Sequence, residues 1–374
     1  MNRYNHPKWI FKKGHTHMNK PTNLFDFEPI AREKMHHDHF EYYLGGANDE
    51  ITLRENREAF ERLLLRPRML RDSSHRDLSV TVLGQKCDLP FMVAPMALAK
   101  LAHPEGESAV ARAALSRGVG VVLSTISTVA LEEIAQIKPN PLWFQLYVYK
   151  DRAITRDLVA RAEVSGYGAL VVTVDTPYLG KRERDMKNVL HIPEEFIIAN
   201  LRQPDAPRMG QPRPDTGLNT VIARYDDSLT WRDMEWLASI TKMPVVVKGV
   251  LRGDDAKLAV EHGMKGVIVS NHGGRQLDTA IATLTALPDV VAGVDGKADV
   301  LLDGGVRRGT DILKALALGA KSVLVGRPIY YALAANGELG VLQAFDLLRD
   351  EFDLALALCG VHRADSIPRD ILAI

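Results

Sequence analysis

Residues 244–272 read Pro-Val-Val-Val-Lys-Gly-Val, then Leu-Arg-Gly-Asp-Asp-Ala-Lys-Leu-Ala-Val-Glu-His, then Gly-Met-Lys-Gly-Val-Ile-Val-Ser-Asn-His. Two short apolar runs, 244–250 and 266–272, flank a stretch at 255–262 whose apolar residues recur at helical spacing. Short runs rich in Val and Ile, bounded by Gly and Pro, read as buried strands. Strand, helix and strand in that order make a parallel crossover. The unit recurs along the chain. Strands are predicted at 91–97, 120–126, 142–148, 169–175, 299–306 and 322–329, with helices at 105–116, 155–164, 230–240 and 311–318. Eight strand-then-helix units close a (β/α)8 TIM barrel. An open doubly wound sheet would carry a Gly-x-Gly-x-x-Gly turn after its first strand, and this chain has none there.

Outside the barrel, 23–43 reads as an N-terminal helical extension ended by Gly45-Gly46. Residues 1–22 hold Arg3, Lys8, Lys12, Lys13 and Lys20 and no acid, and are expected to be a leader, with Met18 as a second possible start. The domain is taken as 23–374. One connection, 176–229, is far longer than compact domains favour and contains Pro204, Pro207, Pro212 and Pro214. It leaves the C-terminal end of the fourth strand, the face where barrels place their chemistry, and reads as an active-site lid.

Composition narrows the function. The 374 residues are 46% hydrophobic and 25% charged, which suits one soluble barrel domain. Lys+Arg and Asp+Glu both number 47, so no net charge favours nucleic acid or an anionic membrane. No apolar run reaches the roughly 18–20 residues of a membrane span. Cys87 and Cys359 are the only cysteines, which speaks against a disulfide framework or a Cys-rich metal site; a reducing cytoplasm is the expected location and no metal is expected.

Side chains two apart on a strand share a face. Polar pairs therefore stand out at the strand ends: Gln145 with Tyr147, Thr173 with Asp175, Ser270 with His272, and Ser124 beside Ile126. Lys248 interrupts the fifth apolar run. The loop Ser270-Asn271-His272-Gly273-Gly274-Arg275-Gln276-Leu277-Asp278 combines a group that exchanges protons near neutral pH with a planar fork for a carboxylate. The seventh strand runs into Asp303-Gly304-Gly305-Val306-Arg307 and the eighth into Gly326-Arg327. Loops after strands seven and eight commonly cradle a phosphate in this architecture.

These residues resemble the FMN-dependent L-2-hydroxy-acid oxidases, such as glycolate and lactate oxidases, from about Asn23 to the C-terminus. The runs Arg66-Pro67-Arg68, Ala102 to Glu107, Thr173 to Pro177, Ser270 to Asp278 and Leu302 to Gly309 carry the likeness. The resemblance implies bound FMN, a small 2-hydroxy acid and O2 as partners, and a homotetramer. It implies that His272 is the active-site base, supported by Asp175, and that Lys248 lies beside the N1–C2=O edge of the flavin. Tyr42 and Arg275 would bind the substrate carboxylate, Tyr147 the reacting hydroxyl, and Arg182 the substrate from the lid. Ala97, Ser124, Gln145 and Thr173 would line the isoalloxazine. Asp303, Arg307, Gly326 and Arg327 would meet the ribityl chain and phosphate, and Ser270 and Gly305 would also bind the cofactor. His272 could take the hydroxyl proton during hydride transfer or the Cα proton first.

Ile126 stands where the glycolate oxidases carry a bulky tryptophan, and Met96 where they carry threonine. Together with Ile222 from the lid, these leave room beyond a two-carbon acid, which points to L-lactate ahead of glycolate or a longer acid. Two other readings remain at this stage: a dehydrogenase that uses an acceptor other than oxygen, and a Schiff-base aldolase acting through Lys248.

Overall fold

A computed structural model describes residues 20–188, 190–193, 198–201 and 222–373. The expected leader lies almost wholly outside these residues, as do Pro204, Pro207, Pro212 and Pro214.

Eight parallel strands close into a barrel in chain order. They are β1 (Phe91–Val93), β2 (Gly120–Ser124), β3 (Leu142–Leu146), β4 (Leu170–Thr173), β5 (Val245–Val250), β6 (Gly266–Val269), β7 (Asp299–Leu302) and β8 (Ser322–Val325). Nearly every strand residue is buried. A strand in a barrel is covered by side chains inside and by helices outside, which is why it reads as an unbroken apolar run. A helix follows each strand: Gly106–Arg117, Leu131–Ile137, Arg152–Val164, Trp231–Ser239, Gly253–Glu261, Thr283–Val294, Gly309–Ala317 and Arg327–Cys359, the last broken at Asn336-Gly337. Local chemistry starts several of them. Asp151 accepts from the Ala153 amide at 2.9 Å, and Thr230 and Asp233 form a capping box.

The predicted strands overrun the observed ones at their C-terminal ends. The residues after Val93, Ser124, Leu146, Thr173, Val269, Leu302 and Val325 leave the ladder and build the rim. The correction is largest at the eighth strand, expected to run to 329. There Gly326 turns the chain and a helix starts at Arg327, with Pro328 in its first turn, where a missing N–H costs nothing. The extension expected as one helix over 23–43 is two, α1 (Phe27–Lys34) and α2 (His37–Leu44), because Met35 and His36 are extended.

A hairpin, Val80–Val82 with Gln85–Cys87, closes the bottom of the barrel. Gln85 donates to the Gly168 carbonyl at 3.0 Å and accepts from the Trp143 indole at 3.3 Å. The top is crossed by α2 and by α3 (Ile51–Arg62). The Asp278 carboxylate accepts from the amides of Asp49 and Thr52 at 3.0 and 2.9 Å, fastening the start of α3 to the loop after β6. Among the described residues no helix is long and apolar enough to cross a membrane.

Candidate active site

The rim residues surround a cleft at the C-terminal face of the barrel. Most of the residues expected to bind something line it. Lys248, His272, Arg275, Asp303, Gly305, Arg307, Gly326 and Arg327 come from the second half of the barrel. Ala97, Ser124 and Tyr147 come from the first half. Tyr42 arrives from α2, Met96 and Ile126 from the rims of β1 and β2, and Arg182 and Ile222 from the long connection after β4.

Four expected residues stand behind the wall. Gln145 joins the strands by accepting from the Ser124 hydroxyl at 3.2 Å and donating to the Thr173 hydroxyl at 2.9 Å. Ser270 and Asp175 brace Lys248 and His272 at the centre. The Ser270 hydroxyl accepts from Lys248 Nζ at 2.9 Å and from the His272 amide at 3.1 Å. Asp175 Oδ1 lies 2.9 Å from His272 Nδ1.

Charge settles the protonation states. Burial raises the Asp175 carboxyl pKa, but His272 and Lys248 outweigh that and bring it down to about 2, so it is ionised at neutral pH. The His272 Nδ1–H then donates to Asp175, and Nε2 keeps its lone pair. Burial lowers the pKa of His272 and Lys248 adds to this, while Asp175 opposes; the net direction is below the ordinary value. A neutral imidazole with one nitrogen tethered and the other free is the form a general base needs. His272 also sits at φ +57, a strained conformation for a non-glycine residue.

Burial lowers the pKa of Lys248, but Asp303 and Asp175 raise it further, so it stays protonated. Its ammonium lies 3.1 Å from Asp303 Oδ2. A protonated, ion-paired lysine is no nucleophile, which argues against a Schiff base.

The cleft fits a flavin mononucleotide. Arg307 and Arg327 are half-buried, and among the described residues no carboxylate lies in salt-bridge range of either. Burial lowers the pKa of both, that of Arg327 to about 9. Two desolvated guanidinium groups without a counter-ion call for a bound anion such as a phosphate. Between them the backbone comes close to the cleft: Gly304 and Gly305 both have φ +89, and a Cβ on Gly305 would lie 2.2 Å from the Asn56 carbonyl oxygen. The Asp303 Oδ1 atom is buried without a partner and suits a ribityl hydroxyl. Lys248 offers a positive charge on the cleft floor for the ring.

Arg275 differs from the free fork anticipated in the loop. Its Nη1 donates to the carbonyls of Tyr42 and Gly45 at 2.7 and 2.6 Å, leaving Nη2 and Nε for a ligand. Its guanidinium lies 5.0 Å from the Tyr42 ring centroid. Arg327 reaches the same backbone, donating to Tyr43 and Gly45 carbonyls at 2.7 and 3.1 Å.

Other contributors have no signature of their own. Tyr225 stacks on Tyr147 with ring centroids 4.4 Å apart and lines the cleft. Asn56 and Asn271 exchange reciprocal amide hydrogen bonds of 2.8 and 2.7 Å. Buried Glu107 accepts from the Ala99 and Thr128 amides at 3.1 and 2.9 Å and ties the rim of β1 to that of β2. Asn200, inside the expected lid, donates to the Ser124 and Thr125 carbonyls at 3.1 Å each, so this part of the connection is anchored to β2. His36, Asp38 and His39 also come within 4.8 Å of one another, but away from the cleft.

Residues 31–374 match the family of FMN-dependent dehydrogenases. The chain belongs to this family. Its cofactor is FMN, and it is an oxidoreductase of the FMN-dependent 2-hydroxy-acid oxidase group. An L-lactate oxidase of Nostoc sp. is 51% identical over 362 residues, covering 96% of this chain and 99% of its own. Glycolate oxidase 3 of Arabidopsis thaliana is 49% identical, over 93% of this chain and 95% of its own. The crystal structure of mandelate oxidase with (S)-2-phenylpropionate superposes with a TM-score of 0.85 at 42% identity, covering 94% of this chain and 98% of the other.

Proposed function

We propose that this protein oxidises L-lactate to pyruvate and passes the electrons to O2, forming H2O2. The observation that carries the substrate is the apolar corner made by Met96, Ile126 and Ile222 on the cleft wall. It accepts a methyl group that glycolate lacks. The likeness to an L-lactate oxidase along nearly the whole chain supports the same reading.

In this reading Arg275 Nη2, Arg182 and Tyr42 bind the carboxylate, and Tyr147 orients the hydroxyl. His272 Nε2 receives a proton from the substrate, and Asp175 stabilises the imidazolium that results. FMN, held by Arg307, Arg327, Asp303 and Lys248, would supply the two-electron acceptor between the hydroxy acid and oxygen. Lys248 provides the positive charge that balances this reduction. Lactate loses two electrons and two protons, and O2 gains both.

The deciding experiment is anaerobic mixing of the yellow holoenzyme with L-lactate, glycolate and (S)-mandelate, followed by air. L-lactate should bleach the flavin fastest, and air should restore the colour with stoichiometric peroxide. Faster bleaching by either other acid overturns the substrate. A flavin that stays reduced in air overturns the acceptor.

A further inference from the structure

We propose that Asp185 is an electrostatic selectivity filter: a fixed negative charge beside Arg275 and Arg182 that admits monoanionic hydroxy acids and disfavours dianions. The proposal rests on the reading that these arginines receive the substrate carboxylate.

Asp185 lies on the short helix Glu183–Asn188 in the connection after β4. Its Oδ2 stands 4.0 Å from Arg275 Nη2. That is ion-pair range, too long for a hydrogen bond. Its Oδ1 is buried and has no hydrogen-bond partner among the described residues. A carboxylate whose task is to hold an arginine closes on it, as Asp311 does on Arg57 at 2.5 and 3.0 Å. Asp185 does not. Arg275 is already held by the Tyr42 and Gly45 carbonyls through Nη1, so Asp185 is not needed to position it. Arg182 is likewise turned toward the loop, donating from Nε to the Arg275 carbonyl at 3.3 Å. The arginines keep donors for a ligand, and Asp185 contributes charge without contact. Burial raises its pKa above the ordinary carboxylate value, and the charges of Arg275 and Arg182 hold that rise back, so the three groups sense one another.

The charge count then gives selectivity. Two guanidinium groups and one carboxylate leave a net single positive charge, which one carboxylate neutralises. Within this trio a second negative charge on the ligand finds no cation left to neutralise it, while Arg307 and Arg327 are taken by the cofactor phosphate in the loaded enzyme. Coulomb energy scales with the product of charges, so deleting the Asp185 charge should help a dianion about twice as much, in log affinity, as a monoanion.

The test uses the FMN-loaded enzyme and two three-carbon inhibitors, propionate and malonate, in competition with the hydroxy-acid substrate. In Asp185→Asn the malonate Ki should fall about tenfold and the propionate Ki about threefold, in the two-to-one logarithmic ratio. Asp185→Glu should keep the native ratio. Asp185→Ser serves as a second neutral variant, and flavin absorbance reports folding in each. Equal fold-changes for the two inhibitors, or weaker binding of both, overturn the filter and leave the carboxylate site standing. If neither acid competes with substrate in the native enzyme, the carboxylate reading falls and the filter with it.

Discussion

Gly249 packs against Asp175 so closely that a Cβ at position 249 would lie 2.5 Å from the Asp175 Cβ. The same glycine has φ +117 and marks the register shift between β5 and β6. The carboxylate that tethers the base is thus positioned by the absence of a side chain on the neighbouring strand. Gly249→Ala should retain FMN but push Asp175 off His272. A displacement near 1 Å at a catalytic group costs up to about 10²-fold in rate. Loss of turnover with unchanged flavin stoichiometry is the expected result; native turnover would show that the rim absorbs the extra carbon.

The pH profile follows from the direction of the His272 shift. The base must be neutral, and its pKa lies below the ordinary 6.5. Activity should therefore be flat at neutral pH and fall as pH drops through that lowered value. Asp175 raises the His272 pKa, so Asp175→Asn should move the acid limb further down in pH while lowering the plateau. An acid limb that moves upward in this variant contradicts the assignment.

His272→Gln removes the base while preserving volume. Turnover should fall by about 10³-fold or more, near the upper range for a positioned general base. Stopped-flow flavin reduction measures it directly, and near-native reduction would take His272 out of the chemistry.

Arg275→Lys should weaken both substrate binding and turnover, because a compact ammonium cannot reproduce the planar fork that holds the Tyr42 and Gly45 carbonyls on one side and a carboxylate on the other. The Arg275 bond to the carboxylate is charged on both sides and is worth about 1.5–3 kcal/mol, whereas Tyr42→Phe deletes a single bond from a neutral donor and should cost less. Steady-state kcat/KM for both variants gives the order, and the reverse order would place the carboxylate elsewhere.

Ile126→Trp should fill the methyl corner. One methyl is worth about 0.8 kcal/mol, roughly a fourfold preference. The ratio of kcat/KM for L-lactate to that for glycolate should fall by at least that factor. An unchanged ratio would mean that the side chain of the acid points away from β2.

The barrel was legible because its buried strands are short, mostly apolar runs, with polar residues such as Gln145 and Lys248 few and toward their C-terminal ends. The strand ends were not, since Tyr147, Asp175 and His272 continue the two-residue alternation after the ladder has stopped. The break at Met35 and His36 carries neither Gly nor Pro, so helical spacing ran through it. At the site, His272, Arg275, Lys248 and the two glycine loops advertise their chemistry by residue type at a strand end. Asn56 and Asp185 do not. Each is a common surface residue, and each matters only through a distant partner: Asn56 pairs with a residue 215 positions away. Tyr225 is similarly silent, because its stacking on Tyr147 is made by the return of a long connection.

The reciprocal amide pair of Asn56 and Asn271 makes α3 a keel of the catalytic loop and not a detachable ornament. Grafting the barrel loops of one relative onto another would separate the two halves of this clasp unless both asparagines travel together. Shortening the chain to the barrel alone would remove both bonds to Asn56 and leave Asn271 held only by the Ile281 carbonyl and the Gly274 amide, at 3.1 Å each. Recombination between relatives should therefore tolerate a crossover before α1 far better than one between α3 and β1.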